Sequence, residues 1–104
     1  MATPSDLPTG TVTLLFADVE GSTRLLNLLG ERFGPARARM RELVREAARA
    51  HDGAEVDWAG DGVFLAFASA REAVAAAAQI HHSLAAEPWV DDEAHRLRIG
   101  VHTG

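Results

Sequence analysis

Asp18 closes the apolar run Thr11 to Asp18 (TVTLLFAD), and Asp61 lies in Gly60-Asp61-Gly62, directly before a second apolar run, Val63 to Ala68. Two carboxylates brought side by side repel each other, so one must take up a proton or both must share a cation. The chain has no cysteine. Oxygen donors alone favour Mg2+ or Mn2+. A pair of such ions activates an attacking oxygen and stabilises a leaving oxygen in phosphoryl transfer. The small loop Glu20-Gly21-Ser22-Thr23 follows Asp18 and opens a helix, where backbone N–H groups are offered to phosphate. The constellation reads as metal plus nucleoside triphosphate at one sheet edge. A plainer reading stands beside it, with Asp18 capping the next helix and Asp61-Gly62 forming a turn.

The elements decide whether the two aspartates meet. Thr11 to Asp18 is dense enough in β-branched and apolar residues for a buried central strand. Arg24 to Leu29 begins a helix, Gly30 to Gly34 interrupts it, and Pro35 suits a first helical position. Met40, Leu43, Val44, Ala47, Ala48 and His51 then share one helix face, which ends at Asp52-Gly53. Ala54 to Ala59 alternates, with Ala54, Val56 and Trp58 on one side and Glu55, Asp57 and Ala59 on the other. Gly60-Asp61-Gly62 supplies hairpin chemistry, and Val63 to Ala68 is the next strand. Ser69 with Glu72 forms a capping box for a helix to about Ala86. An acidic loop, Glu87 to Ala94, leads to a last strand, Leu97 to His102. The order β-α-β-β-α-β is that of a ferredoxin-like split βαβ unit, an antiparallel sheet with helices on one face. In that topology strand one lies between strands three and four and runs antiparallel to strand three. The topology therefore predicts that Asp18 and Asp61 are neighbours, although they are 43 positions apart.

A chain of 104 residues, 47% hydrophobic and 24% charged, suits one small domain with one core. Residues 1–9 read as a disordered leader and residues 10–104 as the domain. A net charge of −5 argues against a general nucleic-acid or anionic-membrane binder. Met1 to Pro8 lacks the features of a signal peptide, and no apolar run reaches the roughly 18 residues of a membrane span. With no cysteine, these features fit a cytoplasmic location.

Three segments resemble, in order and spacing, the signatures of class III adenylate and guanylate cyclase catalytic domains: Phe16 to Thr23 (FADVEGST), Ala59 to Phe64 (AGDGVF) and Arg98 to Gly104 (RIGVHTG). The resemblance covers residues 10–104, as the N-terminal portion of that domain. It implies a ferredoxin-like palm, in agreement with the topology read above, here a truncated cyclase homology domain. It implies conversion of ATP or GTP to a 3′,5′-cyclic nucleotide and pyrophosphate, in cyclic-nucleotide signalling. By resemblance, Asp18 and Asp61 bind two Mg2+ or Mn2+ ions, and the Val19 carbonyl is a further ligand. Gly21, Ser22 and Thr23 hold the triphosphate through their N–H groups. The partner is a second copy or another cyclase domain, because the family builds each site across a head-to-tail pair.

The chain departs from the family pattern at three points. Four positions before the second metal aspartate the family reads the base, usually with lysine for adenine and often with glutamate for guanine; here it is Asp57. A carboxylate accepts from guanine N1–H and N2–H2 but has nothing to donate to adenine N1; the plainer reading of Asp57 is a solvated residue on an exposed strand face. Ser22 replaces the aromatic residue that often follows the loop glycine, a form shared by one bacterial subgroup. The family's transition-state asparagine and arginine, and a second base-reading residue, lie beyond Gly104, so the chain alone is expected to bind metal without turnover. Rival readings are a catalytically silent cyclase-like regulatory module and a simple ferredoxin-like interaction domain without a metal site.

Other residues read as structural. His81 and His82 are adjacent on a helix, point about 100° apart and suit an exposed surface. Trp58 is expected in the core, and Trp89 has no assigned role. Arg98 and His102 share the strand face opposite Leu97 and Ile99. Asp91-Asp92-Glu93 lacks calcium-loop spacing and reads as a solvated turn.

Overall fold

The computed structural model describes residues 10–89 and 92–104. The expected leader at residues 1–9, and Asp91 of the acidic triplet, lie outside the described residues. The elements are β1 (Thr13–Val19), α1 (Ser22–Leu29), a 3-10 turn (Gly30–Arg32), α2 (Phe33–Ala50), β2 (Ala54–Ala59), β3 (Gly62–Phe67), α3 (Ala70–Ala86) and β4 (Leu97–Thr103). The sheet order is β2-β3-β1-β4, and every neighbouring pair is antiparallel. This is the expected ferredoxin-like βαββαβ architecture.

Strand periodicity sorts β1 into two faces. Thr13, Leu15, Ala17 and Val19 are buried beneath the helices, while Leu14 and Phe16 are 39% and 41% exposed on the open face. Leu65 and Phe67 of β3, Val44 and Ala47 of α2, and Ala73 and Ile80 of α3 join the buried layer. Burial of these side chains, worth about 1.5–3 kcal/mol for each large one, holds the helices to the sheet. His51, at the end of α2, adds a polar tie to α3: Nδ1 lies 2.8 Å from the Glu72 carboxylate and Nε2 3.0 Å from the Gln79 side-chain oxygen.

Local expectations needed four corrections. α1 begins at Ser22 rather than Arg24, and the break before α2 is only the 3-10 turn; Gly34 and Pro35 lie inside the first turn of α2, where the missing proline N–H would have no helical acceptor. Gly62 belongs to β3, so the hairpin turn is Gly60-Asp61, with Ala59 paired to Gly62. The capping box is half formed. Ser69 Oγ accepts from Glu72 N–H at 3.3 Å, but the Glu72 carboxylate turns to His51. Finally, β2 carries a register shift between Glu55 and Asp57, which oppose Leu65 and Phe64. Val56 is the extra residue of a β-bulge. Glu55 and Trp58 therefore share the helix face, and Asp57 and Ala54 the open face, which breaks the simple alternation read from the sequence.

Candidate metal and phosphate site at the β1–β3 edge

Antiparallel pairing places Asp18 opposite Gly62 on one side and opposite Arg98 of β4 on the other. Val19 N–H donates to the Asp61 carbonyl at 3.3 Å, so Asp61 sits directly beside the end of β1. The pair expected to be neighbours is brought together. Gly60 permits this turn by adopting φ 59°, a left-handed conformation that a side chain would strain. Asp18 and Phe16 lie on the open face of the sheet, as do Phe64 and Asp57 of the neighbouring strands. The Phe16 and Phe64 rings touch, with centroids 4.9 Å apart. Asp57 is exposed on that face, one strand further from β1 than Asp61.

The loop after β1 leads directly into α1. Gly21 is the N-cap of α1 in the left-handed region, and no side chain caps the helix. The first helical hydrogen bond runs from Leu25 N–H to the Gly21 carbonyl at 3.0 Å. The N–H groups of Ser22 and Thr23 precede it and have no backbone acceptor among the described residues. A cleft of about 490 Å³ adjoins Glu20 and Gly21 and is lined also by Arg24, Arg96, Asp92 and Glu93, with Arg24 Nη1 3.3 Å from the Glu93 carboxylate. Glu20 N–H donates to the Arg96 carbonyl at 2.8 Å, which fixes the segment before β4 against this loop.

Arg98, placed from sequence only on the β4 face opposite Leu97 and Ile99, has a partner at this edge. Its Nη2 donates to Asp18 Oδ2 at 2.8 Å, with the two side chains 66% and 32% exposed. The signal was present in the topology, because a strand four antiparallel to strand one sets Arg98 opposite Asp18 once the register is counted. Val19 is buried, whereas Gly21 and Thr23 are exposed and Ser22 half-buried. Among the described residues no group of three or more His, Cys, Asp or Glu side chains is placed to hold a metal. The oxygen donors at this edge, two carboxylates and the Val19 carbonyl, are of the chemical kind that Mg2+ takes, since it commonly uses one or two carboxylates and completes its shell with water and substrate phosphate.

Behind this edge, on the helix side, lies His95. It is 1% exposed and packed between Phe33 and Trp89, at ring-centroid distances of 5.8 and 5.0 Å. Trp89, unassigned from sequence, is locked there by Nε1–H donation to the Leu84 carbonyl at 2.8 Å. Neither ring nitrogen of His95 has a hydrogen-bond partner among the described residues. Burial, reinforced by Arg37 and opposed by Asp61, holds its pKa below the ordinary imidazole value. Below that ordinary value the unfolded chain binds a proton that the folded chain refuses, so stability is full at neutral pH and falls as the pH drops. The melting temperature is expected to decline between pH 7.5 and 5, and His95→Phe to flatten that decline. An unchanged slope in the variant would remove His95 as its cause. His81 and His82 are both exposed, as expected.

The comparisons agree with this fold. No protein-family model matches the chain. An uncharacterized protein of Mycobacterium tuberculosis is 40% identical over 99 residues, covering 93% of this chain and 32% of that protein. The receptor-type adenylate cyclase B of Leishmania donovani is 35% identical over 78 residues, covering 75% of this chain and 6% of that protein. The chain thus spans about a third or less of the length of these relatives. Among solved structures, an adenylate cyclase from Trypanosoma brucei in its monomeric state superposes with a TM-score of 0.86 at 26% identity, covering 93% of this chain and 58% of that one.

Proposed function

From the premise that this chain belongs to the class III adenylate and guanylate cyclase domains, of which it spans part, we propose that it contributes the metal and triphosphate half of a nucleotidyl cyclase site. The observation that carries this reading is the juxtaposition of Asp18 and Asp61 beside an uncapped helix N-terminus. Asp18, Asp61 and the Val19 carbonyl would hold two Mg2+ or Mn2+ ions. When bound, those ions supply charge neutralisation and activation of the attacking 3′-hydroxyl for release of pyrophosphate from ATP or GTP. The N–H groups of Gly21, Ser22 and Thr23 orient the triphosphate along the start of α1.

Arg98 has two tasks in this reading. It neutralises Asp18 at 2.8 Å, and were Asp18 to serve as a metal ligand, the guanidinium would be available to a phosphate oxygen. Asp57, exposed on the open face, is the candidate to read the base, and its carboxylate would accept from guanine rather than adenine. A second cyclase domain would cover the open face where Leu14, Phe16 and Phe64 are exposed, complete the site and place it in cyclic-nucleotide signalling.

Because the chain spans only part of the related proteins, the direct test is binding. Calorimetry with Mn2+ and then with GTP or ATP is expected to show metal-dependent nucleotide binding, with GTP the tighter. Nucleotide binding that ignores the metal, or no binding of either, would overturn the reading and favour a silent regulatory module of the same fold.

A further inference from the structure

α2 presents arginines to the β2–β3 hairpin at one-turn intervals. Arg41 and Arg45 both lie over the Trp58 indole, with guanidinium carbons 4.8 and 5.4 Å from the ring centroid. Arg45 also has an acidic partner, since it donates twice to Glu55, at 3.1 and 3.2 Å. The bulge in β2 makes that pair possible by turning Glu55 toward the helices. Arg41 has no carboxylate partner among the described residues. Its Nη2 donates instead to the Gly60 carbonyl at 3.4 Å, and its Nε is buried without a hydrogen-bond partner. Burial lowers its pKa, as do Arg37 and Arg45, while Asp61 acts the other way.

A guanidinium that is half-buried, has no carboxylate partner and buries its Nε without an acceptor gives up hydration at that nitrogen, so its position requires a reason. The group it touches supplies one. The Gly60 carbonyl belongs to the two-residue turn that carries Asp61, and the left-handed Gly60 leaves that turn with little steric restraint of its own. The Trp58 ring lies beneath the guanidinium, with its centroid 4.8 Å from the guanidinium carbon. We propose that Arg41 is a positioning residue, which clamps the Gly60 carbonyl from α2 and thereby fixes the turn that delivers the Asp61 carboxylate to the end of β1. The role of Asp61 itself rests on the metal reading above, whereas the clamp on the turn does not.

The sign of the effect makes the idea testable. As a mere neighbouring cation, Arg41 repels a metal ion, and its removal would tighten metal binding. As a clamp it pre-orders a ligand, and its removal weakens binding. The experiment is Mn2+ calorimetry on this chain, Arg41→Met and Arg41→Lys, together with 15N relaxation of the Gly60 and Asp61 amides. Arg41→Met is expected to lower Mn2+ affinity about fivefold, the equivalent of one lost hydrogen bond, and to raise amide mobility at Gly60 and Asp61. Arg41→Lys, which keeps the charge and a donor, should recover part of both. Unchanged or tighter Mn2+ binding in Arg41→Met, or an unchanged turn in the relaxation data, overturns the proposal. If the unmodified chain fails to bind Mn2+, the metal reading falls, and the relaxation comparison alone decides whether Arg41 holds the turn. Should Arg41→Met not fold, Trp58→Leu removes the platform and leaves the charge; it carries the same expectation, and native affinity with a native turn there is equally fatal.

Discussion

Asp61→Ala is expected to reduce Mn2+ affinity about a hundredfold, by removal of a carboxylate interaction of about 3 kcal/mol. Folding should change little. Asp61 lies in a half-buried turn, and its side chain makes no hydrogen bond or ion pair among the described residues; its main-chain bond to Val19 survives the substitution. Surface changes of this kind usually shift stability by less than about 0.5 kcal/mol. Asp18→Ala should lose affinity similarly but also frees Arg98, an exposed pair worth at most about 1 kcal/mol. The measurement is calorimetry on the three proteins, with thermal melts to show that each is folded. Equal Mn2+ affinity in all three would sink the assignment of both aspartates.

Phe67→Ala should be the most damaging single change to the fold, at about 3–5 kcal/mol, because it empties a fully buried aromatic site in the core. In a domain of this size each kcal/mol lowers the melting temperature by about 4–8 °C, so the variant sits near the limit of marginal stability. The opposite error at the same place is Gly53→Ala. A Cβ there would lie 2.5 Å from Phe67 Cε2 and 2.7 Å from Cζ, an overlap that must displace the ring. Overpacking of this kind costs about 1–3 kcal/mol. Combining Gly53→Ala with Phe67→Leu should therefore cost less than the sum of the two single changes. Urea melts of the single and double variants read this directly, and strict additivity would show that the ring is not the obstacle. Both changes lie at the end of β3 away from Asp61, so Mn2+ affinity per folded molecule should be retained.

What could be read in advance had local causes. Alternation in β1, the apolar face of α2 and the Ser69 cap each depend on neighbours in sequence. Together they gave the βαββαβ order, and that order is compatible with few sheets. The adjacency of Asp18 and Asp61 follows from strand topology and needs no knowledge of packing. Trp58 packs against the core as its strand pattern predicts, but it is only partly buried, and the arginines over its ring come from a distant helix. The boundaries of α1 and α2 were less legible, because Gly34 and Pro35 are breakers in a helix interior but are tolerated in a first turn.

The amino-acid sequence by itself determined the element order, the neighbouring aspartates and the glycine loop between them, because hydrophobic periodicity and turn chemistry act over a few residues. Tertiary structure decided the side-chain partners that strand order without its register does not fix. One extra residue at Val56 sends Glu55 to Arg45 and leaves Asp57 on the open face. The β1–β4 register sets Arg98 on Asp18. The closure of Phe33 and Trp89 over His95 buries a histidine that no local pattern marks as internal. Each outcome depends on register and on contacts between distant segments, and a shift of one residue would exchange the faces of a strand.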